Sequence, residues 1–313
     1  MSKSSACLVL LAFMLVGHRW QRSAAAEPAV QFEQHDNRLQ VIVGGQPLAT
    51  YVWRDPDIQR PYMAHVRTLS GVQVSRNHPP VEGADRTDHA TFHPGLWMAF
   101  GDISGADFWR NKASVIHKGF SEAPHADGRS GGFAVKNAYV SEGKTLCTET
   151  CRVRFELRPG GTIITWDSSF TGESEFAFGD QEEMGLGVRV ATPLAVKSGG
   201  RIVDNENRAN EAQVWGKTAE WCDASGTIDG QDVGVTLMSD PKNFRRPWIH
   251  ARDYGLLVAN PFGEKAFTQG PKSRVVVRPG ETLRLRFGVF VHAGKIDLAA
   301  AYSEWVAALP PRE

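Results

Sequence analysis

The residues with the most chemistry per unit length lie between Asp88 and Arg110, in the run D-H-A-T-F-H-P-G-L-W-M-A-F-G-D-I-S-G-A-D-F-W-R. His89 and His93 precede an apolar run, Leu96 to Phe100, that is too short for a helix and reads as a buried strand. Asp102 and Asp107 follow it, and the turn pairs Pro94-Gly95 and Gly101-Asp102 bound it. Loops at strand ends are where catalytic and binding side chains concentrate. Histidine titrates near neutrality and serves as acid or base. Trp97, Phe108 and Trp109 supply flat apolar surface. That mixture suits a sugar, which has apolar C–H faces and hydroxyl edges. His93 and Asp102 are read as catalytic candidates, and His89, Trp97, Asp107 and Trp109 as binding residues.

Two further clusters carry the same residue types. Between Phe178 and Val190 stand Asp180, Glu182 and Glu183, followed by Gly185 and Gly187. A carboxylate at such a turn can act as a general base, and the glycines permit close approach of a ligand or another backbone. Glu183 is the catalytic candidate here, against the plainer reading of a solvated turn. Between Arg245 and Gly263, Trp248, His250 and Arg252 alternate along a β segment and so share a face. His250 is a second catalytic histidine. The Arg252 fork could clamp a carboxylate or vicinal oxygens of a ligand, or pair with a carboxylate of the chain itself. Tyr254 and Asn260 complete the binding set. The clusters around Asp88 and His250 are expected to converge, with His93, Asp102, His250 and Arg252 around one concave surface, Glu183 within reach and Trp97 or Trp109 as an apolar wall. Trp215, Lys217, Glu220, Trp221 and Asp223 form a patch more in keeping with a core, and His65 and His78 read as structural or exposed.

The elements that must position these groups are strands. Leu39–Val43 and Leu48–Trp53 flank Gly44-Gly45, and Tyr62–Thr68 and Val72–Ser75 flank Ser70-Gly71. Cys151–Leu157 returns through Arg158-Pro-Gly-Gly as Thr162–Asp167, and Ser273–Val277 returns through Arg278-Pro-Gly as Thr282–Val291; proline and glycine preset such turns. Glu173–Phe178 and Leu186–Thr192 make another pair. Only the C-terminus has helical spacing, with Leu298, Tyr302, Trp305, Val306 and Leu309 behind a capping Asp297. The class is all-β: a large antiparallel sandwich of two sheets packed face to face, with a C-terminal helix that buries Trp305 and Val306 against a sheet.

Lys3 followed by the apolar Ala6–Gly17 and by Ser23-Ala24-Ala25-Ala26 reads as a secretory signal peptide, residues 1–26, cut so that the mature chain starts at Glu27 as one domain, 27–313. The expected address is periplasmic or secreted. Cys7 stands at the front of the apolar segment, away from the cut, so a lipid-anchored cysteine is not expected, and no later segment is apolar enough to span a membrane. The chain has 35 basic and 35 acidic residues; losing Lys3, Arg19 and Arg22 leaves a small acidic excess without a basic patch, which disfavours a nucleic-acid partner. Of the remaining cysteines, Cys147 and Cys151 could bridge in an oxidising compartment or stay free beside Cys222.

Five ordered motifs, R-P-Y (60–62), H-P-G-L-W (93–97), G-D-x-x-G-x-D-F-W (101–109), G-x-G-V-R-V (185–190) and H-A-R-D-Y-G-x-x-x-A-N-P-F-G (250–263), resemble the PmoA-like family of exported bacterial proteins. The resemblance implies no established activity and an association with carbohydrate degradation; methane oxygenation is not inferred, since this chain lacks the apolar spans of those membrane subunits. Asp88–Gly95 departs from the H-P-H-H-R-G-L-W form of many members. A sandwich similar to the galactose-mutarotase type would use a histidine acid, His93 or His250, and a carboxylate base, Glu183 or Glu182. Three readings stand: a carbohydrate-active enzyme without cofactor, a non-catalytic carbohydrate-binding protein, and a metal enzyme with His89, His93, His250 and an Asp on zinc, copper or iron.

Overall fold

The computed structural model describes residues 28–311, so the signal segment and the mature start at Glu27 lie outside the described residues. Two eight-stranded antiparallel sheets lie face to face. The first runs, side by side, Val30–Gln34, Arg38–Val43, Gln46–Val52, Tyr62–Ala64, Leu96–Phe100, Met184–Arg189, Leu256–Asn260 and Trp248–Arg252. The second runs Arg201–Asp204, Trp221–Ile228, Gln231–Ser239, Leu283–Ala293, Gly161–Thr171, Lys144–Arg158, Ser130–Ser141 and Ser114–Asp127. The all-β two-sheet class read from the turn spacing is therefore the observed one.

Period-two alternation explains the layering. Leu96, Met98 and Phe100, then Leu186 and Val188, then Leu257 and Ala259 point inward from the first sheet. They meet Phe133, Val153, Phe155, Ile164, Trp166, Leu237, Phe287 and Val289 of the second. Burying a side chain of this size contributes about 1.5–3 kcal/mol, and the pattern fixes register because a one-residue slip would turn every such side chain outward.

The Arg158-Pro-Gly-Gly turn joins neighbouring strands, as its chemistry predicts. Two other pairings differ. Val275–Val277 pairs with Phe176–Phe178 in a separate two-stranded ribbon, not with the strand that follows its Pro-Gly turn, and Met184–Arg189 joins the first sheet between Leu96–Phe100 and Leu256–Asn260. Turn residues specify a chain reversal, not which sheet each arm enters. Cys147 and Cys151 are free and buried. They lie four residues apart on one strand, about 13 Å, well beyond the reach of a disulfide.

The C-terminal helix, Leu298–Ala308, is capped by Asp297, whose side chain accepts from the Ala300 amide at 3.0 Å. It docks on the outer face of the second sheet through Tyr302 and Trp305, which pack with Ile163, Met238 and Phe290. The Trp305 indole donates to Thr165 Oγ1 at 3.0 Å. Gly288 makes room for it, since a Cβ there would lie 2.8 Å from the indole. Val306 is only partly buried.

Candidate functional site

The outward-facing residues of the first sheet fall into rows set by strand register. Trp97, Gly187, Val258 and His250 stand side by side across four strands. Arg189, Leu256 and Arg252 make the next row. At about 4.8 Å per strand, Trp97 and His250 are roughly 14 Å apart and Arg189 and Arg252 roughly 10 Å. Trp97 lies over Gly187, where a Cβ would come 2.9 Å from the indole. The loop that carries His89 and His93 crosses this face, tied down by the buried Arg76, whose guanidinium donates to the carbonyls of Arg86, Asp88, His89 and His93.

A column of near-parallel rings rises from the sheet. His93 stacks on Trp97 (5.2 Å between centroids, 11° between planes), His89 on His93 (4.8 Å, 20°) and Tyr254 on His89 (6.1 Å, 15°). His89 is exposed at the top of the column, with a left-handed backbone (φ 51°) that holds it there. Its Nδ1 donates to Asp88 at 2.9 Å. Asp88 also accepts both terminal nitrogens of Arg189, at 3.2 and 2.9 Å, and Arg189 lies 4.4 Å from the Tyr254 ring centre. Burial alone would raise the Asp88 carboxyl, but Arg189 and His89 hold it well below the usual carboxylate range.

The other half of the face is a chain of ion pairs. Arg110 bridges Asp107 (3.1 Å) and Glu183 (2.5 Å); Arg252 bridges Glu182 (2.8 Å) and Glu211 (3.1 Å) and lies over the Trp215 ring. Burial raises the Glu182 carboxyl, against the pull of Arg252 and with the added repulsion of Glu183. His250 Nδ1 approaches Glu182 to 3.3 Å. This is no ion pair, because burial, reinforced by the Arg252 charge, pushes His250 down to about 3. Burial first, and then the Arg189, His89, Arg76 and Arg60 charges, likewise keep His93 neutral. The two halves meet at Tyr254, which senses the charges of Arg189, Arg252, Asp88 and Glu183.

Of the residues singled out in the sequence, the structure gathers His89, His93, Trp97, Trp109, Glu183, His250, Arg252 and Tyr254 on this one face, with Asp107 behind Arg110. Asp102 is elsewhere. Its carboxylate accepts from the Gly105 amide within its own turn and borders a different hollow, with Lys272, Ser273 and Arg274. Asn260 has its side chain fully engaged, donating to the carbonyls of Gln181 and Glu182 and accepting from the amides of Phe262 and Gly263, so it positions the glutamate turn. Trp97 and Trp109 pack edge to face and are buried, Trp97 to 0% exposure; they support the site from below and present no open wall. The ligand set of the metal-enzyme alternative does not assemble. His89 and His93 stack face to face, which aims their nitrogens side by side and not at a common point, and among the described residues no three His, Cys, Asp or Glu are grouped to hold a metal. Asp88, Arg76, Arg110, Arg189, Glu211 and Trp215 are participants that the sequence reading did not select. Arg110 and Asp88 bound the densest stretch and Arg189 lies in the G-x-G-V-R-V motif; nothing in the sequence marks Glu211.

The fold and this face define an antiparallel two-sheet sandwich with a polar, ring-floored surface on its first sheet. Residues 38–306 match the model of a family of unknown function (DUF6807), and the chain belongs to that family. This corrects the resemblance to a PmoA-like family drawn from the motifs: the family that matches is a different one, without assigned function. A search of curated proteins found no match. Among solved structures the chain is similar to a galactose mutarotase-like protein from Clostridium acetobutylicum (9% identity, 86% of this chain and 99% of that one, TM-score 0.38). It is also similar to a galactose mutarotase-like protein from Lactobacillus casei (11%, 84% and 100%, TM-score 0.39) and to a GH36 α-galactosidase from Geobacillus stearothermophilus (13%, 79% and 40%, TM-score 0.41). Similarity at this level assigns no activity. Among the described residues no helix is long and apolar enough to cross a membrane.

Proposed function

We propose that the outer face of the first sheet binds a carbohydrate and acts on it by acid–base chemistry, with His89 taking a proton and Glu182 giving one. The observation that carries this reading is the way His89 is held. Asp88 occupies Nδ1, the rings of His93 and Tyr254 lie near-parallel to its own at 4.8 and 6.1 Å, and the residue is exposed. In the neutral tautomer whose Nδ1–H is donated to Asp88, Nε2 carries the lone pair a general base needs. Glu182, whose carboxyl burial raises, is the group better placed to donate. These roles reverse the assignment of acid to histidine and base to glutamate made from residue types, because His93 and His250 are buried and neutral and have no proton to give. Glu183, Arg252 and Tyr254 would then hold sugar hydroxyls, while His93 and Asp88 position His89.

The test is incubation of the purified protein with a panel of glycosides and oligosaccharides, followed by NMR, for wild type, His89→Ala and Glu182→Gln. Turnover by wild type, lost in both variants with melting temperatures kept within a few degrees, is the expected result. Binding without turnover would leave a carbohydrate-binding protein, and binding of no glycan would end the reading. We further propose that the chain is exported after cleavage behind Ala26, as its basic, apolar and small-residue segments support. N-terminal sequencing of the protein from expressing cells should begin at Glu27, and an intact Met1 end would refute export by this route.

A further inference from the structure

We infer, resting on the acid–base reading above, that Glu211 is a positioning residue for Glu182: by holding one arm of Arg252 it limits that guanidinium to a single contact with Glu182, and so leaves Glu182 able to carry the proton. The observation is one guanidinium split between two carboxylates. Arg252 gives Nη2 to Glu182 Oε2 at 2.8 Å and Nη1 to Glu211 Oε1 at 3.1 Å. An arginine often sets both terminal nitrogens on one carboxylate, as Arg189 does with Asp88 on this same face. Arg252 departs from that pattern because Glu211 has taken its second arm.

Glu211 is fixed where it stands. Its Oε2 accepts from the Asp253 amide at 2.9 Å, and its own amide donates to Asp253 Oδ1 at 2.9 Å. This reciprocal pair clasps the first turn of the short helix Asn210–Val214 to the end of the edge strand Trp248–Arg252. Both Glu211 oxygens therefore accept from N–H donors, one of them charged. Glu182 is held less firmly: its approaches to Arg252 and to the neutral His250 both fall on Oε2. The groups that face Glu182 are Arg252 and His250 from the edge strand, Glu183 from its own turn, and Glu211 through Arg252. Burial raises the Glu182 carboxyl, the Arg252 charge opposes that, and Glu183 adds to it. Without the Glu211 charge, Arg252 would close on Glu182 with both arms and its pull would fall on that carboxyl alone, which favours the ionised form.

The experiment is a carbon NMR titration of the protein labelled at the glutamate Cδ, with the Glu182 signal assigned by its loss in Glu182→Gln. Glu211→Gln keeps an acceptor for the Asp253 amide and removes the charge, and it should move the Glu182 midpoint down by about 0.5–1 pH unit. Arg252→Gln should move it up, and in that background Glu211→Gln should have less than about half its effect, because Arg252 carries the coupling. Should Glu211→Gln fail to fold, Glu211→Asp, whose carboxylate is drawn back from Arg252 by one methylene, takes its place and should move the midpoint in the same direction. A Glu182 midpoint unchanged or raised when Glu211 is replaced would overturn the inference, and so would an equal movement with and without Arg252. None of these readings needs a substrate, so they judge Glu211 even where no glycan is bound. Where the wild type turns over a glycan, the high-pH limb of its rate profile should move down with the Glu182 midpoint. A limb that stays while the midpoint moves would take the acid role from Glu182 and leave its coupling to Glu211 standing.

Discussion

Removing the Asp88 carboxylate tests the linchpin of the site. Arg189 is 1% exposed and both its terminal nitrogens rest on Asp88; its remaining close neighbours are the Tyr254 ring and His93 Nδ1 at 3.5 Å, neither of which carries negative charge. Deleting one partner of a buried pair costs about 3–5 kcal/mol because the other charge is left uncompensated. Asp88 itself is 27% exposed, so water reaches the pair and the lower end, about 3 kcal/mol, is expected for Asp88→Ala. Asp88→Asn keeps an acceptor and should lose about 1.5–3 kcal/mol. Combining Asp88→Ala with Arg189→Met removes both charges, and the double variant should be more stable than the sum of the single losses by at least about 1 kcal/mol. The pH dependence has a definite sign. A carboxyl held below its ordinary range in the folded chain contributes stability that is present above its unfolded pKa, about 3.9, and lost as pH falls through the folded value. The gap between wild type and Asp88→Asn should be constant from about pH 5 to 8 and narrow below about pH 4. Urea unfolding followed by tryptophan fluorescence measures all of this. Asp88→Ala within about 0.5 kcal/mol of wild type, or a gap that widens on acidification, would refute the reasoning.

Glu149 offers the opposite sign. It is buried between the sheets with Asn137, Ser168 and Tyr139 as hydrogen-bond donors, and burial raises its carboxyl despite them. Its stabilising contribution is thus full below its unfolded pKa and lost as pH rises toward the folded one; Glu149→Gln should be more stable than wild type at pH 8 and lose that advantage at pH 4, as chemical denaturation at the two pH values will show. Gly187→Ala forces a methyl against Trp97 at 2.9 Å and Trp109 at 3.3 Å, and overpacking of this kind should cost about 1–3 kcal/mol in the same assay. Trp305→Ala empties the contact between the terminal helix and the second sheet and leaves Thr165 without its indole donor, so a loss of about 3–5 kcal/mol is expected from calorimetry.

The strands were legible because alternation and turn chemistry are local. Gly44-Gly45 and Arg158-Pro-Gly-Gly join the strands that flank them, and the terminal helix shows the spacing, the cap and the buried Trp305 that its sequence announces. Pairing across the molecule was not legible. Val275–Val277 leaves its turn for the short ribbon with Phe176–Phe178, a segment far away in the sequence, and no local signal carries such a pairing. The two cysteines fail as a bridge for a similar reason: a spacing of four is compatible with a disulfide in a loop and excluded along an extended strand, where it spans about 13 Å.

The site divides along the same line. Residue type and alternation were enough to bring His93, Trp97, Glu183, His250 and Arg252 to one face, because parity along a strand decides its face and the two clusters flank strands of one sheet. They could not assign roles, which depend on depth and on partners. His93 and His250 have the same side chain as His89 but sit beneath the surface, where desolvation removes their proton; His89 stands one ring higher in the same column, exposed and oriented by Asp88. The carboxylates divide in the same way. Asp102 is turned into its own loop, whereas Glu182 is brought beside His250 by the Asn260 side chain that gathers its carbonyl. Depth in turn follows from the glycine at position 187. Without a side chain there, Trp97 can lie flat on the sheet, His93 can lie on Trp97, and His89 is lifted to the level at which it meets solvent and Tyr254 together.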